Sequence, residues 1–297
     1  MGSSTQSDAP AADASGVVAA APHVRPVRQS RSEAHKRLIR LFWQVLIVAV
    51  FLGAWQGIPD IPGITKVSRF LDPFFISSPS SVATTVWDLM TGTPNASAIW
   101  PEVGITVGAA LVGSAAGVIV GGVGGLLCGG NEELYKVVRP LVMALNAVPR
   151  ITLVPIIVVV VGASPAADAL SAAMLVVFIV FYNAVEGARS VSPETIEFAR
   201  LLGASKRTRL LKVRGPYALA WVFASLPNAI SFGLVGAVTT ELFTGSRGLG
   251  QVMITAVDTA DASLTFAVVV ILAVVGIILF QGVDFLRRKS LSWWEAG

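Results

Sequence analysis

Charge is what this chain has least of. Asp, Glu, Lys and Arg make up 13% of its 297 residues, while 54% are hydrophobic and the mean hydropathy is +0.72. Soluble chains carry about 25% charged residues, and a chain with half that share has too little polar surface to cover a core. A membrane protein is implied. Cysteine is nearly absent: Cys128 stands alone, which excludes an intrachain disulfide and a Cys-rich metal site. The two histidines, His23 and His35, both precede the first apolar run, so no histidine-based metal or acid–base site is available in the body of the chain. The dipeptide Gly-Lys never occurs, and with it a phosphate-binding G-x-x-x-x-G-K-[ST] loop is missing. Neither a G-x-S-x-G nucleophile elbow nor an H-E-x-x-H pair is present. No catalytic residue, metal or cofactor is expected on this chain, and an enzyme is disfavoured.

What is abundant is long apolar sequence. Six runs, near 38–57, 102–127, 138–162, 167–188, 216–241 and 264–286, are long enough to cross about 30 Å of hydrocarbon at 1.5 Å per residue. The third holds Pro149 and Pro155 and is expected to be kinked or broken. Residues 1–36 lack an apolar period and read as a disordered tail. Residues 37–73 read as the first membrane helix and the start of an outer loop, 74–290 as the main membrane domain, and 291–297 as a second tail. The first apolar run begins too far along for the apolar region of a signal peptide. With both termini placed in the cytoplasm, the inner segments hold six, two, seven and three Lys or Arg, against three outside. That is a strong positive-inside signal. It explains the basic balance without nucleic acid.

Gly113, Gly117, Gly121, Gly125 and Gly129 recur every four residues in the second run and so share one helical stripe. Close packing of another helix is one reading; a flexible gating element is the other. In the outer segment, Phe74, Phe75, Val82, Val86 and Leu89 fit an amphipathic helix or a packed loop.

The run "EFARLLGASKRTRLLKVRGP", residues 197–216, interrupts this apolar chain with charge. Ser192, Pro193 and Glu194 form a helix-start signal. Phe198, Leu201, Leu202 and Ser205 follow i, i+3, i+4, i+7 spacing, with Glu197, Arg200, Lys206 and Arg207 on other faces. Gly203 permits a sharp bend. Two readings compete: a basic helix lying on anionic membrane lipid, and a docking element for a cytoplasmic partner.

The segment resembles the EAA loop of binding-protein-dependent ABC importer permeases. Glu197, Ala199 and Gly203 match; Phe198 replaces an alanine, and "RGP" at 214–216 replaces an apolar-Pro pair. "ISSPSSV" at 76–82, "AVPRITLVPIIVVVVG" at 147–162, "ELFTGSRGLGQVM" at 241–253 and "FLRRKSLSWW" at 285–294 are similar to segments of the nitrate/sulfonate/taurine branch. The resemblance covers roughly 74–294. It implies an all-α polytopic fold of about six transmembrane helices, the type I importer (MetI-like) fold, in a bacterial plasma (inner) membrane. It also implies a second permease copy or a paralogous permease, an ABC ATPase dimer that carries ATP and Mg, and an extracytoplasmic solute-binding protein. Coupling to the ATPase would fall to the helix within 193–214. There Phe198, Leu201 and Leu202 would be docking knobs, Glu197 and Arg200 polar contacts or caps, Ala199 a motif position, and Gly203 the bend.

Arg150 lies well inside the third run, where an arginine costs at least about 2.5 kcal/mol if it faces lipid. It is read either as a counter-charge for an anionic solute or as an internal ion pair or donor to carbonyls freed by Pro149 and Pro155. Asn146 could share either role. Glu241, at the outer end of the fifth run, is expected to be solvated or to line the pathway. Glu186 is expected to pair with Arg189, and Asp258, Asp261 and Arg247 to be solvated or to meet a docking protein. A secondary transporter or channel independent of ATP is the alternative. It would call for intramembrane carboxylates or an internal repeat, and no repeat is visible.

Overall fold

The computed structural model describes residues 31–57, 76–93 and 97–290. Of the tails expected at 1–36 and 291–297, residues 1–30 and 291–297 lie outside the described residues, as does most of the outer loop with Phe74 and Phe75; residues 31–36 are helical. The chain is an all-α polytopic membrane protein, with five helices among the described residues long and apolar enough to cross a membrane. It divides after Phe51 into two compact units. The first contains most of α1 (Arg31–Gly57), the first apolar run. In the second lie α2 (Pro79–Thr91), α3 (Trp100–Gly130), α4 (Glu132–Ala147), a 3-10 turn (Arg150–Leu153), α5 (Val154–Val161), α6 (Pro165–Arg189) and α7 (Pro193–Leu201). A short turn at Lys206–Thr208 and a π-helical stretch (Arg209–Arg214) then lead into α8 (Gly215–Thr244), followed by α9 (Leu249–Asp258) and α10 (Ala262–Ser290).

The second unit is organised around α3 and α6. All five stripe glycines of α3 are buried against α6. A Cβ added at Gly121 would stand 2.6 Å from the carbonyl oxygen of Val177, and one at Gly129 would stand 2.8 Å from that of Val185. The stripe therefore meets backbone directly. Small residues allow this approach, and in a membrane, where water supplies no drive between helices, contact is what holds them together. The facing residues on α6, among them Ala172, Val176, Val180, Ala184 and Ala188, also recur every four positions. They rise in number as the glycines do, so the two helices run in the same direction.

A parallel pair needs a return path, and residues 131–164 supply it. The third apolar run is not one helix. It starts within α4, stops at Pro149 (φ −59°, ψ 108°), turns once as a 3-10 helix and resumes as α5, whose Pro155 sits in its first turn. Proline lacks the N–H an interior position needs and disfavours helix at the residue before it. The break expected from Pro149 and Pro155 is thus present. Pro140 is also accommodated within α4.

Helix α8 closes the bundle with glycines of its own. Gly236 lies against Ser171 and Ala172 of α6, and Gly233 against Ser114 of α3. Val222 and Ala229 join Val176, Val180 and Ala184 in one apolar cluster, while Leu234 and Ala237 join Ala109 and Ala110 in another. A third cluster gathers Val82 and Leu89 of α2 with Leu249 of α9 and Val268 and Ile271 of α10. Of the two readings of Val82, Val86 and Leu89, an amphipathic helix or a packed loop, the structure has a helix, α2, packed on α9 and α10. Ser78 caps its start, accepting from the amide of Ser81, and Gly92 ends it at φ +71°.

Whether a glycine of α3 lies on the stripe or off it should decide what an added side chain does. Gly121→Val introduces atoms where a bare Cβ already collides with backbone, so it should cost about 1–3 kcal/mol or more. Gly108→Ala, in the same helix with nothing within 4 Å of the new Cβ, should be neutral or stabilise by up to about 1 kcal/mol. Thermal unfolding of the purified chain in detergent checks both.

Candidate functional site

The charged segment folds as two capped pieces joined at a glycine. Ser192 (φ −60°, ψ 142°) is the N-cap of α7, its hydroxyl accepting from the Thr195 amide at 3.3 Å. Pro193 follows in the first turn, where its missing N–H costs nothing, and Glu194 puts negative charge at the positive end of the helix dipole. The C-terminus closes in a Schellman motif. The amide of Gly203 donates to the Arg200 carbonyl at 2.9 Å and that of Ala204 to the Ala199 carbonyl at 3.0 Å. This motif needs a left-handed residue, and Gly203 has φ +77°. Ser205 then caps the following turn through the Thr208 amide.

With both ends tied, α7 presents an apolar face. Phe198, Leu201 and Leu202 are 64%, 80% and 72% exposed. Their i, i+3, i+4 spacing places them on one side of the helix. Ala199 is half-buried on another side. Glu197 and Arg200 form an exposed pair at 3.7 Å, which adds little stability.

Around this end, Arg189 does not pair with Glu186 as expected. Its Nη1 donates to Glu132 at 2.8 Å and its guanidinium stacks over the Tyr135 ring at 3.9 Å. Hydrogen bonding from Arg189 and its positive charge hold the Glu132 carboxyl below the usual carboxylate range. Glu186 is exposed. Sequence spacing favoured the i, i+3 neighbour; the turn from α3 into α4 brings Glu132 nearer.

Glu241 lies at the opposite end of the bundle and is not solvated. Its side chain is fully buried. Thr106 Oγ1 donates to Glu241 Oε1 at 2.8 Å, and the Gly250 amide donates to Oε2 at 2.8 Å. Thr106 Oγ1 in turn accepts from the Leu249 amide at 2.9 Å. The first amides of α9 have no capping side chain of their own, and a helix start leaves such amides without intrahelical partners. Glu241 and Thr106 supply the acceptors from two other helices. Gly248 packs so closely on the carboxylate that a Cβ would overlap it. The sequence held one clue, the glycines flanking Leu249, but nothing in it linked them to Thr106.

Asp168, in the first turn of α6, is also fully buried and went unremarked in the sequence; Ser246 Oγ reaches its Oδ1 at 3.4 Å. Arg247 is exposed and pairs with Glu102 at 3.4 Å, and Asp258 and Asp261 are exposed. Arg150 opens the 3-10 turn between α4 and α5, half-buried, its guanidinium 5.2 Å from the centre of the Phe178 ring on α6. The side chain of Asn146, near the end of α4, lies outside the described residues. No cluster of three or more His, Cys, Asp or Glu suited to a metal occurs among the described residues.

A family model described as "Binding-protein-dependent transport system inner membrane component" matches residues 113–291. The chain is 26% identical over 253 residues to a "Probable ABC transporter permease protein" of Haemophilus influenzae, across 85% of this chain and 98% of that protein. It is 27% identical over 220 residues to a riboflavin transport system permease protein of Chloroflexus aurantiacus, across 74% and 81%. To a taurine transport system permease protein of Escherichia coli it is 23% identical over 269 residues, across 87% and 95%.

The Glu241 tie is open to a direct test. Glu241→Ala orphans the Thr106 hydroxyl and the Gly250 amide and should destabilise by about 1–3 kcal/mol for each buried donor left unpaired. Glu133→Ala, at a side chain 84% exposed, should be silent. Melting temperatures in detergent should separate the two, with Glu241→Gln falling between them.

Proposed function

The chain belongs to the family of binding-protein-dependent transport system inner membrane components, and from that premise we propose that it is the membrane permease subunit of an ATP-driven importer of a small solute, coupled to its ATPase through α7. The observation that carries this reading is the apolar face of Phe198, Leu201 and Leu202. It is held rigid by caps at both ends of α7 and left uncovered. Uncovered apolar surface on a short rigid helix suits seating in a groove of another protein. A helix fixed at both ends passes displacement to the chain that follows, here the π-helical stretch and α8.

ATP and Mg belong to the partner ATPase dimer, in keeping with a sequence that has no phosphate-binding loop. A second permease, identical or paralogous, completes the pathway, and an extracytoplasmic solute-binding protein delivers the solute. The α7 end, with seven Lys or Arg between Arg189 and Arg214, faces the cytoplasm together with both termini of the chain. In this arrangement the interrupted stretch 131–164 is a sixth crossing.

Relatives are named for solutes as different as riboflavin and taurine, a sulfonate. An anionic solute of the nitrate, sulfonate or taurine kind is favoured by Arg150, a half-buried cation at the break between α4 and α5.

Leu201→Asp should test the coupling. Reconstituted with its ATPase and binding protein, the variant should lose at least tenfold of vanadate-sensitive uptake while the chain still folds and inserts; unchanged uptake would refute the role of α7. Gly203→Val, which forces a branched residue to φ +77° at a cost of about 1–2 kcal/mol or more, should act in the same direction. Arg150→Met should reduce uptake of taurine more than uptake of a neutral solute if the guanidinium meets the anion.

A further inference from the structure

Behind α7 lies a cavity of about 580 Å³. Its lining holds five cations, Arg200, Lys206, Arg207, Arg209 and Arg214, and one carboxylate, Glu132. That carboxylate is engaged by Arg189, which is outside the lining. Two of the cations are occupied by backbone: Arg209 Nη1 donates to the Ala204 carbonyl and Arg214 Nη1 to the Gly129 carbonyl at 2.7 Å. Arg200 has its exposed contact with Glu197. Lys206 and Arg207 have neither a hydrogen bond nor an ion pair among the described residues. The excess of positive charge is therefore local and uncompensated.

The remaining wall is mostly apolar, with Asn131 as its one neutral polar side chain. Leu127 stands in the last turn of α3, Leu134 in the first turn of α4, and Leu210 in the π-helical stretch that opens into α8. Leu127 and Leu210 lie at the ends of two helices long and apolar enough to cross a membrane, and Leu134 just follows the first of them, so a membrane crossed by these helices would have its headgroups at this level. A cation-lined cavity with an apolar wall at that depth matches a phosphodiester with hydrocarbon attached. A free phosphate ion would leave the leucines without a counterpart. Basic pockets between membrane helices recognise anionic headgroups in this way.

We propose that this cavity is a binding site for the headgroup of an anionic phospholipid, with Lys206 and Arg207 as its principal phosphate ligands. Ile196 and Arg200 of α7 line the cavity, whereas Phe198, Leu201 and Leu202 do not. A lipid seated there touches the back of the helix whose apolar face is free. The site does not require α7 to dock on an ATPase, and it stands or falls separately from that reading.

The test uses the full chain in detergent, exposed to mixtures of phosphatidylcholine and phosphatidylglycerol, with retained lipid counted by native mass spectrometry. Wild-type chain should retain phosphatidylglycerol in preference to phosphatidylcholine. Lys206→Gln/Arg207→Gln should weaken that retention about tenfold or more. Lys136→Gln/Lys212→Gln removes the same charge outside the cavity and should leave retention near wild type; together with an unchanged melting temperature for the first variant, this excludes general charge loss and misfolding. Equal retention of the two lipids, or equal losses in both double variants, would overturn the proposal. Displacement of the lipid by millimolar inorganic phosphate would assign the cavity to the free ion and overturn it as well. So would displacement of the lipid by an acidic segment of the ATPase.

Discussion

Backbone-to-backbone packing of α3 on α6 is the contact the second unit depends on. Five glycines at four-residue intervals meet a four-residue series of small and β-branched residues on the other helix. Because both series repeat at the same interval, the match is kept along the whole shared length. Because the helices are parallel, the intervening chain must return between their ends. The broken α4–α5 segment and the placement of α8 across both helices follow from that arrangement. Gly233 and Gly236 repeat the device on α8, so three helices share one dense centre while many large apolar side chains stay exposed on the outside.

Much of this was legible in the sequence. Run length and composition gave the long apolar helices, four-residue glycine spacing gave the packing stripe, and Ser192, Pro193 and Gly203 gave both ends of α7. These signals are local: each depends on residues within a few turns of one another. The broken third run was legible for the same reason, since Pro149 and Pro155 act on their own backbone.

What the sequence hid was contact between distant segments. Glu241 looked like a solvated residue at the end of a run because its donors are Thr106, far upstream, and the Gly250 amide of a helix that begins after an intervening loop. Arg189 looked set to pair within its own helix, but its partner lies on α4. Buried Asp168 gave no pattern at all. Polar groups inside a membrane bundle are satisfied by whichever helix packs beside them, and a single sequence does not state which helices those are.

The stretch Arg209–Arg214 between the charged segment and α8 closes its hydrogen bonds one residue further along than an α-helix does. One residue of α-helix corresponds to about 100° of rotation. A single wide turn thus acts as a phase shifter in the chain. Without it, the direction in which α7 points would be fixed by where Gly233 and Gly236 must face. With it, the two orientations are set separately, and the surface carrying Phe198, Leu201 and Leu202 is aimed without turning the glycine faces of α8 away from α3 and α6.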